Sequence, residues 1–250
     1  MKKQTVNISL ILLILSSNLT LYGQESTIVS SATGLEQGLS LEAVGELFRD
    51  SENLEEFERG LNDPDKGINN LDLDGNGSVD FLRVVEESDG QNRTIILQAI
   101  LGDNELQDVA YIDITRIEEE TYEMQIRGDE TVYGPDLYVY PADIHIRSWP
   151  LVVHLYHHSH RPYRSPWLWN KYPGWWKRRK TVSRPVYRGI VYKKYHHRVF
   201  IKTKKARIAR HHRIAHKRRT SALIKEKRIH RKNVKNKAAK QRNVRKKKRR

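Results

Sequence analysis

Between Leu71 and Phe81 the chain reads LDLDGNGSVDF, with an oxygen-bearing side chain at every second position: Asp72, Asp74, Asn76, Ser78 and Asp80. Three of these five are full carboxylates, which repel one another at such spacing unless a cation or backbone amides compensate. A hard cation such as Ca²⁺ takes about six to eight oxygens, and this alternation wraps them around one point. Gly77 holds the sixth place of the run, where the chain has to bend sharply. The same residues also suit a polar turn, in which Asp and Asn side chains accept from backbone N–H groups without any ion. The spacing leaves both chemistries open.

A second candidate lies further on. His154, His157 and His158 have i, i+3 and i+4 spacing, so a helix would align them for Zn²⁺ or Cu²⁺. Pro150, Pro162, Pro166 and Pro173 discourage a long helix there, and no carboxylate lies between His145 and Lys177 to orient an imidazole. The stretch His154 to His160 is therefore expected to bind metal weakly or not at all. Catalysis is not expected. The chain has no cysteine and no G-x-S-x-G, P-loop or H-E-x-x-H pattern.

The elements that position the Asp72–Asp80 loop follow from periodicity. Ser40 can cap a helix bearing Leu41, Val44, Leu47 and Phe48 on one face. Asn53 and Glu56 have the spacing of a capping box, and Leu54, Phe57 and Leu61 make the stripe of a second helix. Asn62-Asp63-Pro64-Asp65 and Gly67 stop it. After Asp80 the period falls from 3.6 to 2. Phe81–Glu87, Thr94–Leu101, the run around Ala110–Thr115 and Thr121–Arg127 read as four strands, the first two joined across an Asp-Gly turn. The expected fold is α+β, with two short helices packed on a four-stranded antiparallel meander. A largely disordered or helical basic tail should follow.

Charge divides the chain. From Gln24 to Asp143 there are 29 Asp and Glu against seven Lys and Arg. From Lys177 to Arg250 there are 33 Lys and Arg against one acid, Glu226, so the formal net charge of +16 hides two opposite polyions. Residues 1–23 carry Lys2, Lys3 and an apolar run from Ile8 to Leu15, the layout of a secretory signal peptide; the run is too short to span a membrane. The divisions expected are a signal peptide (1–23), a flexible leader (24–39), an acidic α+β domain (40–143), an aromatic, His- and Pro-rich linker (144–176) and a basic tail (177–250). The linker's Trp and Tyr residues either stack on a ligand or fold back on the meander. Within the tail, Val182–Phe200 alternates in a way that could add a strand or two. With no cysteine for a lipid anchor, the mature protein is expected to be exported, periplasmic or extracellular.

The start of the loop resembles an EF-hand, D-x-[DN]-x-[DN]-G, but its twelfth position is Arg83 instead of Glu and a strand follows it. It is more similar to the calcium loops of FG-GAP and integrin-type repeats, in which Asp80 would close the site. The resemblance implies Ca²⁺ on Asp72, Asp74, Asn76, Ser78 and Asp80. More loosely, AVGELF, LEEFERGLNDPDKGINNLDLDGNGSVDFLRVVE and ILQAILGDNELQDVA resemble a family of small, uncharacterised exported proteins of Gram-negative bacteria. That likeness implies export and the α+β unit, and no activity.

Three functions fit this pattern. One is an exported, non-enzymatic binding protein that takes no small-molecule substrate. Its acidic domain holds Ca²⁺, and its tail engages anionic polymers such as envelope polysaccharide, extracellular DNA or an anionic lipid surface. The second is a nucleic-acid-binding protein acting through the tail. In the third, the tail lies on the protein's own acidic domain.

Overall fold

The first helix, α1 (Leu41–Asp50), starts where Ser40 Oγ accepts from the Ala43 amide at 3.2 Å, and it buries Leu41, Val44, Leu47 and Phe48. The computed structural model of the chain describes residues 38–143, 145–195 and 199–248. The expected signal peptide and residues 24–37 of the expected leader lie outside the described residues. In α2 (Leu54–Asn62), Asn53 Oδ1 accepts from the Glu56 amide and the Glu56 carboxylate accepts from the Glu52 amide, both at 2.8 Å. This is the reciprocal bracing of a capping box, reaching back one residue further than usual. Phe48 and Phe57 meet edge to face at 5.4 Å and fix the two helices against each other.

The strands β1 (Phe81–Asp89), β2 (Asn92–Gly102), β3 (Glu105–Glu118) and β4 (Thr121–Gly128) form the expected antiparallel meander. Gly90, at φ 54°, supplies the left-handed residue that the two-residue β1–β2 turn requires. One sheet face is apolar: Leu82, Val84, Ile95, Leu97, Ala99, Ala110, Ile112, Ile114, Met124 and Ile126 are buried in the same core as the helices.

The class is mixed α+β, as expected, but there are more elements than two helices and four strands. The sheet has six strands in sequential antiparallel order, extended by β5 (Tyr138–Pro141) and β6 (Phe200–Thr203). Four further helices are α3 (Glu130–Tyr133), α4 (Pro150–Leu155), α5 (Arg184–Lys194) and α6 (Ala222–Lys248). The two added strands have four residues each, too few for a period of 2 to declare itself. The alternation in Val182–Phe200 misled in another way: most of it is α5, with Pro185 in its first turn and Tyr187 and Val191, four residues apart, on its buried face. Among the described residues of that run, Phe200 alone enters a strand.

The C-terminal half joins the core of the first half. Trp149, Leu151, Val152, Leu155, Tyr187, Val191, Phe200 and Ile224 belong to the same buried cluster as α1, α2 and the sheet. The Phe200 ring lies against Gly45 of α1, where even a methyl group would approach its carbons to 2.5 Å. The aromatic segment folds back as well, with Tyr172 and Trp176 packing on Phe81 at 5.6 and 5.4 Å. Among the described residues no helix is long and apolar enough to cross a membrane.

Candidate cation loop and the basic arm

The loop from Leu71 to Asp80 is held from both sides by apolar anchors. Leu71, Leu73 and Val79 are buried, and Asp72, Asp74, Asn76 and Ser78 lie nearer the surface. Asp72 accepts from the amides of Gly75 (2.7 Å) and Gly77 (3.0 Å). Asp74 accepts from the Asn76 amide (2.9 Å) and the Asn76 side chain (2.6 Å), and Asn76 Oδ1 accepts from the Ser78 amide (2.8 Å). Gly75 and Gly77 sit at φ 80° and 83°, the left-handed region that lets two turns follow each other so closely. Asp80 is buried, and its Oδ2 accepts from the Leu73 amide at 2.6 Å. Burial pushes its carboxyl well above the usual range, and Asp74 and Asp72 push it further in the same direction.

These bonds satisfy the polar-turn reading, and the same geometry also converges the carboxylates. One oxygen from each of Asp72, Asp74 and Asp80 lies within 4.8 Å of the other two. Oxygens bound to one Ca²⁺ at about 2.4 Å are at most about 4.8 Å apart, so the three suit a single sphere. The cluster could hold a metal ion. All three carboxylates among the five expected ligands are in this cluster. Asn76 Oδ1 is engaged by the Ser78 amide, and the Ser78 backbone pairs with Lys180 in an isolated antiparallel bridge.

One residue at the loop was not legible from the motif. Lys227 of α6 donates to the Leu73 carbonyl at 2.8 Å, and its Nζ would lie 2.7 Å from a Cβ placed on Gly75. Its ammonium is the charge that draws Asp80 back toward ionisation. Nothing in a run of lysines marks this one; only the depth at which α6 docks selects it. Ile224 is 1% exposed, whereas Ile229 is 61% and Val234 54% exposed, so among the described side chains of α6 none beyond Lys227 is buried. The helix continues to Lys248, and 27 residues make about 40 Å. From Arg228 to the end there are 13 Lys and Arg and no acid.

The basic segment before α6 lies on the polar face of the sheet. His216 Nδ1 faces Glu87 Oε1 at 2.8 Å and its Nε2 faces Asp108 Oδ2 at 2.9 Å. Two carboxylates on one imidazole require a proton on each nitrogen, and these bonds, with that to Asp108 largest, raise its pKa against the opposing effect of burial. Arg218 reaches Asp129 and Glu130 at 3.7 and 3.6 Å, and Lys202 reaches Glu42 at 3.9 Å. The linker's histidines are not aligned along one helix. α4 ends at Leu155, His154 meets His160 edge to face and His157 lies tilted against His158, and among the described residues they form no metal-binding group. His160 instead meets the buried Glu86 at 2.8 Å. No family model, curated protein or solved structure matches this chain.

Proposed function

We propose that the chain is an exported, non-enzymatic binding protein in which a folded α+β body carries a polycationic helix for anionic polymers and a Ca²⁺ loop at that helix's base. The observation supporting it most is that none of the described side chains of α6 beyond Lys227 is buried, in a stretch of 23 residues that carries 13 cations. Like charges at i and i+4 oppose an isolated helix, and contact with a polyanion removes that opposition. Some basic residues before Lys227 have another role: Lys202, His216 and Arg218 pair with acids of the body.

Asp72, Asp74 and Asp80 would hold the ion, which would supply the charge that three converging carboxylates need. Lys227 supplies part of that charge from α6, so the ion and the helix base act on the same carboxylates. The test is retention on heparin and on DNA of the mature chain against a chain ending at Lys227. The shortened chain should keep its melting temperature within a few degrees and lose most of its retention. Full retention without residues 228–250 would overturn the assignment.

A further inference from the structure

Across the polar face of the sheet, Arg83 of β1, Gln98 of β2 and Asp108 of β3 stand side by side in register. Backbone from the C-terminal half closes both ends of this row. At one end the Ser165 carbonyl accepts from Arg83 Nη2 at 2.9 Å, and the adjoining Arg164 bridges to Val85. At the other, Arg219 exchanges two bonds with Asp108: its amide donates to Asp108 Oδ2 and its carbonyl accepts from the Asp108 amide, each at 2.9 Å. Main-chain contacts therefore fix Arg164 and Arg219 on either side of the row. Between them lies a cleft of about 540 Å³ lined by Val85, Gln98, Arg164, Lys217, Arg219 and Lys225.

The acids at this cleft are already engaged. Asp108 accepts from Gln98, Tyr111, His216 and the Arg219 amide. Glu87 is bound to His216, and Glu105 accepts from the Ala222 amide. The cations are not matched. Among the described residues, Arg83, Arg164, Lys217, Arg219 and Lys225 have no ion-pair partner. Arg83 is 6% exposed, and its buried Nε has no acceptor at all. Burial lowers the Arg83 pKa most, Arg164 and Arg219 lower it further, and Glu58 opposes them. Two forked donors, Arg164 and Arg219, line the cleft together with the ammonium groups of Lys217 and Lys225, and such a set matches the oxygens of a phosphate or sulfate group.

We propose that this cleft is a binding site for a tetrahedral oxyanion, a phosphate or sulfate group of an anionic polymer, held by Arg164 and Arg219 with Lys217 and Lys225 beside them. The proposal deepens the polyanion reading and rests on it for the kind of partner. It places a shaped subsite on the rigid body, apart from the unshaped charge of α6 beyond Lys227.

The experiment is calorimetric titration of the mature chain with inorganic sulfate, methyl sulfate and dimethyl phosphate. It is repeated on the Arg164→Ala/Arg219→Ala variant and on the chain ending at Lys227. Saturable binding is expected in the mature and shortened chains, at least tenfold weaker in the double variant. Both substituted arginines are exposed, so the variant should keep its melting temperature. Tighter methyl sulfate would identify a sulfated glycan as the source, and tighter dimethyl phosphate a nucleic acid. Absence of saturable binding, or equal binding by the double variant, would overturn the proposal. A shortened chain that binds the small anions but still holds heparin fully would instead count against the helix alone.

Discussion

Lys227 is the residue through which the C-terminal helix reaches the Asp72–Asp80 loop, and its ammonium competes with any cation that the three carboxylates would take. Substituting it with Gln should tighten Ca²⁺ binding, by about fivefold if the coupling is near 1 kcal/mol. Asp74→Ala should abolish the stabilisation that Ca²⁺ confers, about 2.7 kcal/mol at 100 times Kd. Melting curves in Ca²⁺ and in chelator measure both, and identical curves for the unsubstituted chain would leave the loop a polar turn. His216 carries a different prediction. Its folded pKa lies above the ordinary value of about 6.5, so its contribution is full below that value and is lost as pH rises through the raised one. Glu87 and Asp108 face it directly, Tyr111 lies at 5.9 Å, and Asp129 and Arg218 adjoin. Proteolysis between Arg213 and Ser221 should therefore be slow at pH 6 and faster at pH 9, and His216→Gln should remove the difference. Asp72, Asp74 and Asp80 were legible in the sequence because their ligand types recur at a fixed local interval. Lys227 and His216 were not, because their partners lie 108 or more positions away.

At the scale of elements, two contacts decide how helices and sheet fit. Asn62 ends α2, and its amide donates to the Glu58 and Leu82 carbonyls while its Oδ1 accepts from the Leu82 amide, all at 2.7–2.8 Å. Asn62→Ala strands buried groups of β1, so chemical denaturation should show a loss of about 3 kcal/mol. Gly45→Ala tests the docking of β6. Helix propensity alone would favour Ala by about 1 kcal/mol, but the new methyl meets the Phe200 ring. The substitution should lower the melting temperature, and Phe200→Ala in the same chain should restore part of it. A rise for Gly45→Ala alone would mean that Phe200 is not seated there. Helices α1 and α2 and strands β1–β4 were legible because each carries its own cap, stripe or alternation. β5 and β6 owe their strand form to the edge of β4 that they extend, a tertiary cause that four residues cannot announce. In α5 a helical pair, Tyr187 and Val191, was hidden among cations that mimic alternation.

For the whole molecule, the two opposite polyions meet in space as well as in sequence. The acidic half is partly neutralised by the basic residues packed on it, so composition alone overstated the length of free arm. Charge composition does not distinguish a cation on the sheet face from one beyond the last buried turn; Ile224 and Ile229, five residues apart, do. The central claim concerns residues 228–250, and salt dependence tests it most directly. Nonspecific contact with duplex DNA releases counterions, with a slope of about −0.9 per phosphate neutralised. If most of the 13 cations beyond Lys227 engage, log K for the mature chain should fall against log salt with a slope of about −8 to −11, and the slope should shrink to no more than about −3 in the chain ending at Lys227. A salt-independent affinity, or an equal slope in the shortened chain, would contradict the claim.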